Sequence, residues 1–287
     1  MRLPGSLVSL TNWNRESMRC LCLIVGMLMA AVSAFAQNAF FESKPDTVIR
    51  KPQHDVCLQA AFGWSNVLDT YLSNETFRGV GGKILYEKVR NRREKPLVYT
   101  FHSELSFYSS DSRGGVRRDL SLNYNYVFAT QYRWDCLADR LHLRAGGYAE
   151  ALLGGSYNLH NTGNNPAQAR VNLNLGAMLS ADYSFTLWRL PMRVSYEMRL
   201  PFAGLMFSPR YKQSYYEIFM LGDYDRNVVF TTVAPLQIWQ QLAVDFRVGT
   251  STAVRLSYIS DVRQATPNNL KQHQYFNGLS LGVVLRR

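Results

Sequence analysis

Residues 171–185, VNLNLGAMLSADYSF, place an apolar or small side chain at every odd position and a mostly polar one at every even position. Met178 is the one large apolar residue on the polar side. Polar residues at every second position would fall all round a helix, so this period predicts a strand. It recurs at 56–65, 97–108, 119–131, 141–152, 191–200, 238–248, 254–263 and 275–287, with a shorter, less regular stretch at 82–90. Ten strands are predicted.

Length separates a soluble sandwich from a membrane barrel. Fifteen residues at about 3.3 Å each span roughly 50 Å. A tilt of about 40° leaves nearly 40 Å along the normal, more than a sandwich core uses. In the clearest strands the apolar face carries no Asp, Glu, Lys or Arg, whereas the polar face holds many. The pattern predicts an all-β fold, a transmembrane antiparallel up-and-down β-barrel with apolar faces toward lipid and polar faces toward a lumen. Connections at 91–96, 133–140, 186–191 and 249–253 are short. Those at 66–81, 109–118, 153–170, 201–236 and 264–274 read as longer and polar, so inner turns and outer loops alternate. Trp134 and Trp188 fall beside the short turns, Trp64 and Trp239 beside the long loops, as two interfacial aromatic belts would place them. The stretch 201–236 holds a twelve-strand alternative, with two further strands turning at 223–226.

The first 36 residues read as an export signal. Arg19 is followed by an apolar core from Leu21 to Val32 and by Ala34-Phe35-Ala36, with Met18 a candidate start. Residues 37–55 read as a flexible leader and 56–287 as one barrel domain. Removing 1–36 takes away three basic residues and one acidic one, leaving 29 basic against 20 acidic, a formal charge of +9. On an exported protein that charge predicts outer-membrane lipid and lipopolysaccharide as partners, not nucleic acid. Export and barrel fold together imply the outer membrane of a Gram-negative bacterium and insertion by the barrel-assembly machinery. The oligomeric state is left open. Cys57 and Cys136 remain after maturation, and whether they pair is also left open. No cofactor or metal motif is present.

Candidate chemistry lies on the polar faces. Glu104, Glu150, Asp182, Glu197 and Asp245 meet Arg144, Arg193, Arg199, Arg247 and Arg255 there, and unpaired burial would be costly. A paired luminal network is therefore expected, Asp182 with Arg193 or Arg199 for instance. His102 and Glu104 share one strand face about 7 Å apart, with Ser106 two positions on. They are weak candidates for a hydrolytic base pair, and residues of the luminal network otherwise. Outside, Arg210, Tyr211, Lys212, Tyr215, Tyr216 and Tyr224 interleave aromatics with cations, which suits sugar or headgroup contact or, alternatively, capping of the mouth.

Three long stretches, SPRYKQSYYEIFMLGDYDRN (208–227), QIWQQLAVDFRV (237–248) and LSYISDVRQATPNNLKQHQY (256–275), resemble an outer-membrane barrel family of the Bacteroidota with no assigned function. The resemblance implies a one-domain barrel and brings no catalytic residues. The function expected first is a barrel with a largely filled polar lumen and a structural or surface-recognition role, binding lipopolysaccharide or glycan through its outer loops. A narrow anion-preferring pore and a rim lipid or peptide hydrolase are the alternatives.

Overall fold

The computed structural model describes residues 54–91, 96–137, 140–159 and 165–286. The expected export signal and the leader up to residue 53 lie outside the described residues. His54 and Asp55 belong to the barrel, since Asp55 already pairs with Arg286.

The strands are β1 (His54–Asp69), β2 (Ser73–Asn91), β3 (Leu97–Asp111), β4 (Arg118–Cys136), β5 (Leu141–Leu159), β6 (Ala167–Leu187) and β7 (Leu190–Phe207). A short helix α1 (Tyr215–Phe219) precedes β8 (Val228–Thr232), β9 (Ile238–Arg247), β10 (Thr252–Ala265) and β11 (Gln272–Arg286). Each pairs antiparallel with its neighbours, and β1 pairs with β11 from Asp55↔Arg286 to Asp69↔Gln272, closing the sheet on itself.

Eleven strands fill ten positions. β7 meets β9 along Met192–Arg199 and β8 along Ala203–Phe207, so β8 and β9 are two pieces of one interrupted strand. Between Thr232, opposite Ala203, and Trp239, opposite Arg199, the broken strand carries more residues than β7, and the excess loops out as a wide bulge. Pro235 lies in this interruption and has no N–H to give a ladder. The twelve-strand alternative is not realised. Residues 223–226 form no hairpin, because the chain ahead of them folds into α1, capped at Ser214 by a reciprocal box with Glu217.

The expected outer loops are shorter than their polarity suggested. The loop expected at 66–81 contracts to a turn at 70–72, and it is shorter than the inner connection after β2. The strict alternation of short and long connections therefore fails at this hairpin. Gly79 and Gly81 fall in that expected loop, yet they pair inside β2. At Gly81 the reason is contact: a Cβ there would sit 2.4 Å from the ring of Tyr108, which lies against the bare backbone.

The alternation sorts the faces as expected. In β4, Asp119, Ser121, Asn123, Asn125 and Gln131 are buried in the lumen, while Leu122, Tyr124, Tyr126 and Phe128 are exposed on the outer wall. In β6, Asn174, Met178, Ser180 and Asp182 point in, and Leu173, Leu175 and Leu179 point out. The molecule is thus inside out relative to a soluble domain, with a continuous apolar exterior that water would penalise. Trp64, Trp134 and Trp188 lie outside as expected. Trp239 does not: it is only 4% exposed and sits inside the lumen. Cys57 faces the lumen, and neither it nor Cys136 is in a disulfide.

Candidate functional site: a packed lumen and its lid

The inward faces of ten strand positions converge on a narrow interior. The central node is Lys83 of β2, whose ammonium lies 2.6 Å from Glu104 on β3 and 2.6 Å from Asp261 on β10. Arg263 bridges Asp261 (3.1 Å) to Glu150 of β5 (3.1 Å), and Asn174 donates to Glu150 at 2.9 Å. Phe276 closes over the ammonium at 4.9 Å, a contact in which the ring face favours the cation. Beside this node Arg199 of β7 binds Glu197 at 3.0 Å and stacks 3.5 Å from the ring centre of Trp239. Its guanidinium also reaches His102 of β3 at 3.3 Å. Side chains from opposite walls therefore meet at mid-lumen.

Toward the end of the barrel that holds the start of β1, a second cluster forms. Arg255 grips Asp245 through two bonds, 2.7 and 3.1 Å. Arg193 binds Asp55 at 3.0 Å and approaches Asp245 at 4.0 Å, while Arg144 holds Asp182 at 2.8 Å. Toward the opposite end amides and hydroxyls join a sparser set of charges. Ser121 donates to Asp119 at 2.7 Å, and Asn123 donates to Gln274 at 3.2 Å. Arg170 stands 3.9 Å from Asp69.

Most of the expected network assembles, with three corrections. Asp182 takes Arg144, its diagonal neighbour across β5 and β6, because Arg193 is engaged by Asp55 and Asp245, and Arg199 by Glu197. Arg247 leaves the lumen and donates to the carbonyls of Gly249 (3.2 Å) and Thr250 (2.6 Å) in the adjoining turn. Lys83, Asp261, Arg263 and Trp239 were missed as members. Lys83 hides in the irregular, glycine-rich stretch, whereas Asp261 and Arg263 share the inward face of β10 with Arg255, a signal that was available.

His102 is 1% exposed and lies edge-on to Trp239 at 5.3 Å, with Glu104 3.7 Å away. Ser106 is buried and its hydroxyl donates to the Asn123 carbonyl at 3.4 Å, so the three residues are distributed over mid-lumen contacts away from any rim. Nine buried carboxylates accompany the buried Lys83, Arg170, Arg199 and Arg255. The half-buried Arg144, Arg193, Arg263 and Arg286, with Asp55 against Arg193, bring the signs near balance among the described luminal residues. The lumen keeps small gaps: about 40 Å³ beside Cys57 and Glu87, about 30 Å³ beside Gln237 and Gln274, and about 10 Å³ beside Tyr148. Such volumes hold at most a few waters each.

Residues 208–227 close the other end. Tyr71, in the turn after β1, donates to the Gln213 carbonyl at 2.7 Å. On the far side of the mouth, Tyr215 donates to Gln168 of β6 at 3.0 Å and accepts from the Ala169 N–H at 2.6 Å. From the β10–β11 loop, Asn268 donates to the carbonyls of Ser208 (3.1 Å) and Arg226 (3.0 Å). The segment is thus tied on three sides as a lid. Burial pushes the Tyr215 phenol up to about 12, and burial likewise raises that of Tyr71. Of the expected aromatic–cation surface, Tyr215 turns onto the edge of β6 as an anchor. Tyr211, Tyr216 and Tyr224 face out, Lys212 lies 5.5 Å from the Tyr211 ring, and Arg210 pairs with Asp223 and, at 3.6 Å, with Asp225.

Among solved structures, the chain is similar to the translocator domain of the autotransporter NalP from Neisseria meningitidis. The identity is 8%, covering 95% of this chain and 98% of that one, with a TM-score of 0.38. It is also similar to the outer membrane protease OmpT from Escherichia coli, at 6% identity, 85% and 99% coverage and a TM-score of 0.45. The transport unit of the autotransporter AIDA-I from Escherichia coli aligns at 8% identity, 88% and 97% coverage and a TM-score of 0.41. Comparison with curated proteins returned no match. The model of DUF3316, described as a protein of unknown function, matches residues 20–286, and the chain belongs to that family.

Proposed function

We propose that this protein is an integral outer-membrane barrel whose lumen is a structural core, and whose lid presents a recognition surface to the cell exterior. The observation that carries the reading is the Lys83 node. A lysine with no exposed side chain, held at 2.6 Å by carboxylates from two other strands, fills the place where a conduit would run. Such a group is stable only while both partners remain, so the node favours one closed arrangement. The near balance of luminal charge gives an anion pore no support, and the burial of His102 gives a rim hydrolase none. Tyr211, Tyr216 and Tyr224, exposed beside Lys212, are the lid's candidate contacts for glycan or lipopolysaccharide.

The test is single-channel recording of the protein purified in folded form, its folding verified by heat-modifiable gel migration. A silent bilayer is the expected result. Discrete, reproducible openings from the folded protein would sink the closed-lumen reading.

A further inference from the structure

The outer wall carries a recess with no role in the lumen or the lid surface. Following the strand register outward, Phe107 of β3 stands beside Leu122 of β4, Leu122 beside Gly155 of β5, and Gly155 beside Ala169 of β6. One step along, Leu120 neighbours Tyr157, and Tyr157 neighbours Ala167. All of these side chains point away from the lumen. The next outward positions on the same strands, Leu153, Val171 and Leu173, are large, and small ones return further along β5, from Ala151 back to Ala145. Where Gly155, Ala167 and Ala169 come together the wall is thinned to backbone, and a cavity of about 540 Å³ opens.

The recess has built ends. Phe107 and Leu122 bound it on one side. On the other, β6 runs past the last residue of β7 that pairs with it, leaving the Ala169 N–H beyond the ladder. The Tyr215 hydroxyl oxygen accepts a hydrogen bond from that N–H at 2.6 Å, and the ring stands as the recess's end wall, stacked on Phe219 at 6.1 Å. Phe219, Met220 and Leu221 extend the apolar surface from there, each more than half exposed.

Above the recess the charge is cationic. Arg118 lies on the outward face of β4, two positions from Leu120, and forks onto Asp111 at 2.7 and 3.2 Å. Arg113 and Arg117 belong to the adjoining 112–117 turn, so this corner of the barrel carries three arginines against Asp111, and Arg118 is the one that pairs with it. An apolar slot of this volume under a net positive rim matches one chemistry: an acyl chain attached to an anionic headgroup.

We infer that the recess between β4 and β6 is a specific site for an anionic lipid, one acyl chain lying over Gly155, Ala167 and Ala169 and its phosphate meeting Arg113 and Arg117. The inference rests on the membrane reading above. It differs from a general lipid annulus in having a defined floor, two end walls and a charge filter.

The test uses the full folded barrel with dimyristoyl phosphatidylglycerol or dimyristoyl phosphatidylcholine, read by native mass spectrometry. The expected result is one retained phosphatidylglycerol per barrel. Ala169→Leu, which fills the slot with methylenes, reduces that adduct more than about tenfold. Ala167→Leu is a second filler should the first variant fail to fold. Arg113→Gln with Arg117→Gln leaves chain binding but removes most of the preference for phosphatidylglycerol, about fivefold per arginine. An adduct unchanged in both fillers, or a wild-type barrel carrying only statistical, headgroup-blind adducts, overturns the site. Failure of the wild-type protein to insert into vesicles at all would instead strike the membrane reading, so the two failures are distinguishable.

Discussion

The lumen and the lid both hold charge, and they hold it differently. At mid-lumen Lys83 is shared between Glu104 and Asp261, all three side chains at most 4% exposed. On the lid, Arg210 pairs with Asp223 and Asp225 with more than a third of its side chain in solvent. The first arrangement has no substitute for a lost partner, whereas the second has water. Burial, not the number of contacts, sets what each pair is worth.

Lys83→Met breaks the comparison most severely. It leaves Glu104 and Asp261 buried with like charges facing, and about 3–5 kcal/mol of stability should vanish in urea titrations followed by gel migration. A variant of unchanged midpoint would show that the node is dispensable. The lid's tyrosine anchor should matter less. Tyr215→Phe removes the hydroxyl that serves both Gln168 and the Ala169 N–H, and costs about 1–3 kcal/mol because a backbone donor is left unmet. Its pH dependence sharpens the point. The folded phenol titrates near 12 against an ordinary 10, so its docking stabilises fully below pH 10 and fades as the pH climbs through 12. Tyrosinate absorbance should report that late step and lose it in Tyr215→Phe. Arg210→Gln should have the smallest effect, about 0–1 kcal/mol, since solvent screens the pair it removes.

The strand pattern was legible because lipid-facing and lumen-facing positions differ in kind at every step, and all ten positions follow from it. What the pattern hid has physical causes. Gly81, which admits Tyr108 against the backbone, and its neighbour Gly79 look like turn formers, so the first hairpin appeared open. Trp239 lies on the inward phase of its strand, opposite Leu242 and Val244; its size drew it to the interfacial belt, yet phase was the better guide. Partner choice was not legible either. Asp182 finds Arg144 only after Asp55 and Asp245 have engaged Arg193, a competition settled in three dimensions.

The seam between β1 and β11 has a kinetic consequence. Gln59 and Ser280, which share a hydrogen bond of 3.0 Å across it, are 221 positions apart. The neighbouring hairpins can form as each turn emerges, but this last pairing must wait for nearly the whole chain and then meet a large loop-closure entropy. Until it forms, two strand edges stand open to foreign partners, so the slowest step of folding is also the one at which the chain is most exposed to aggregation.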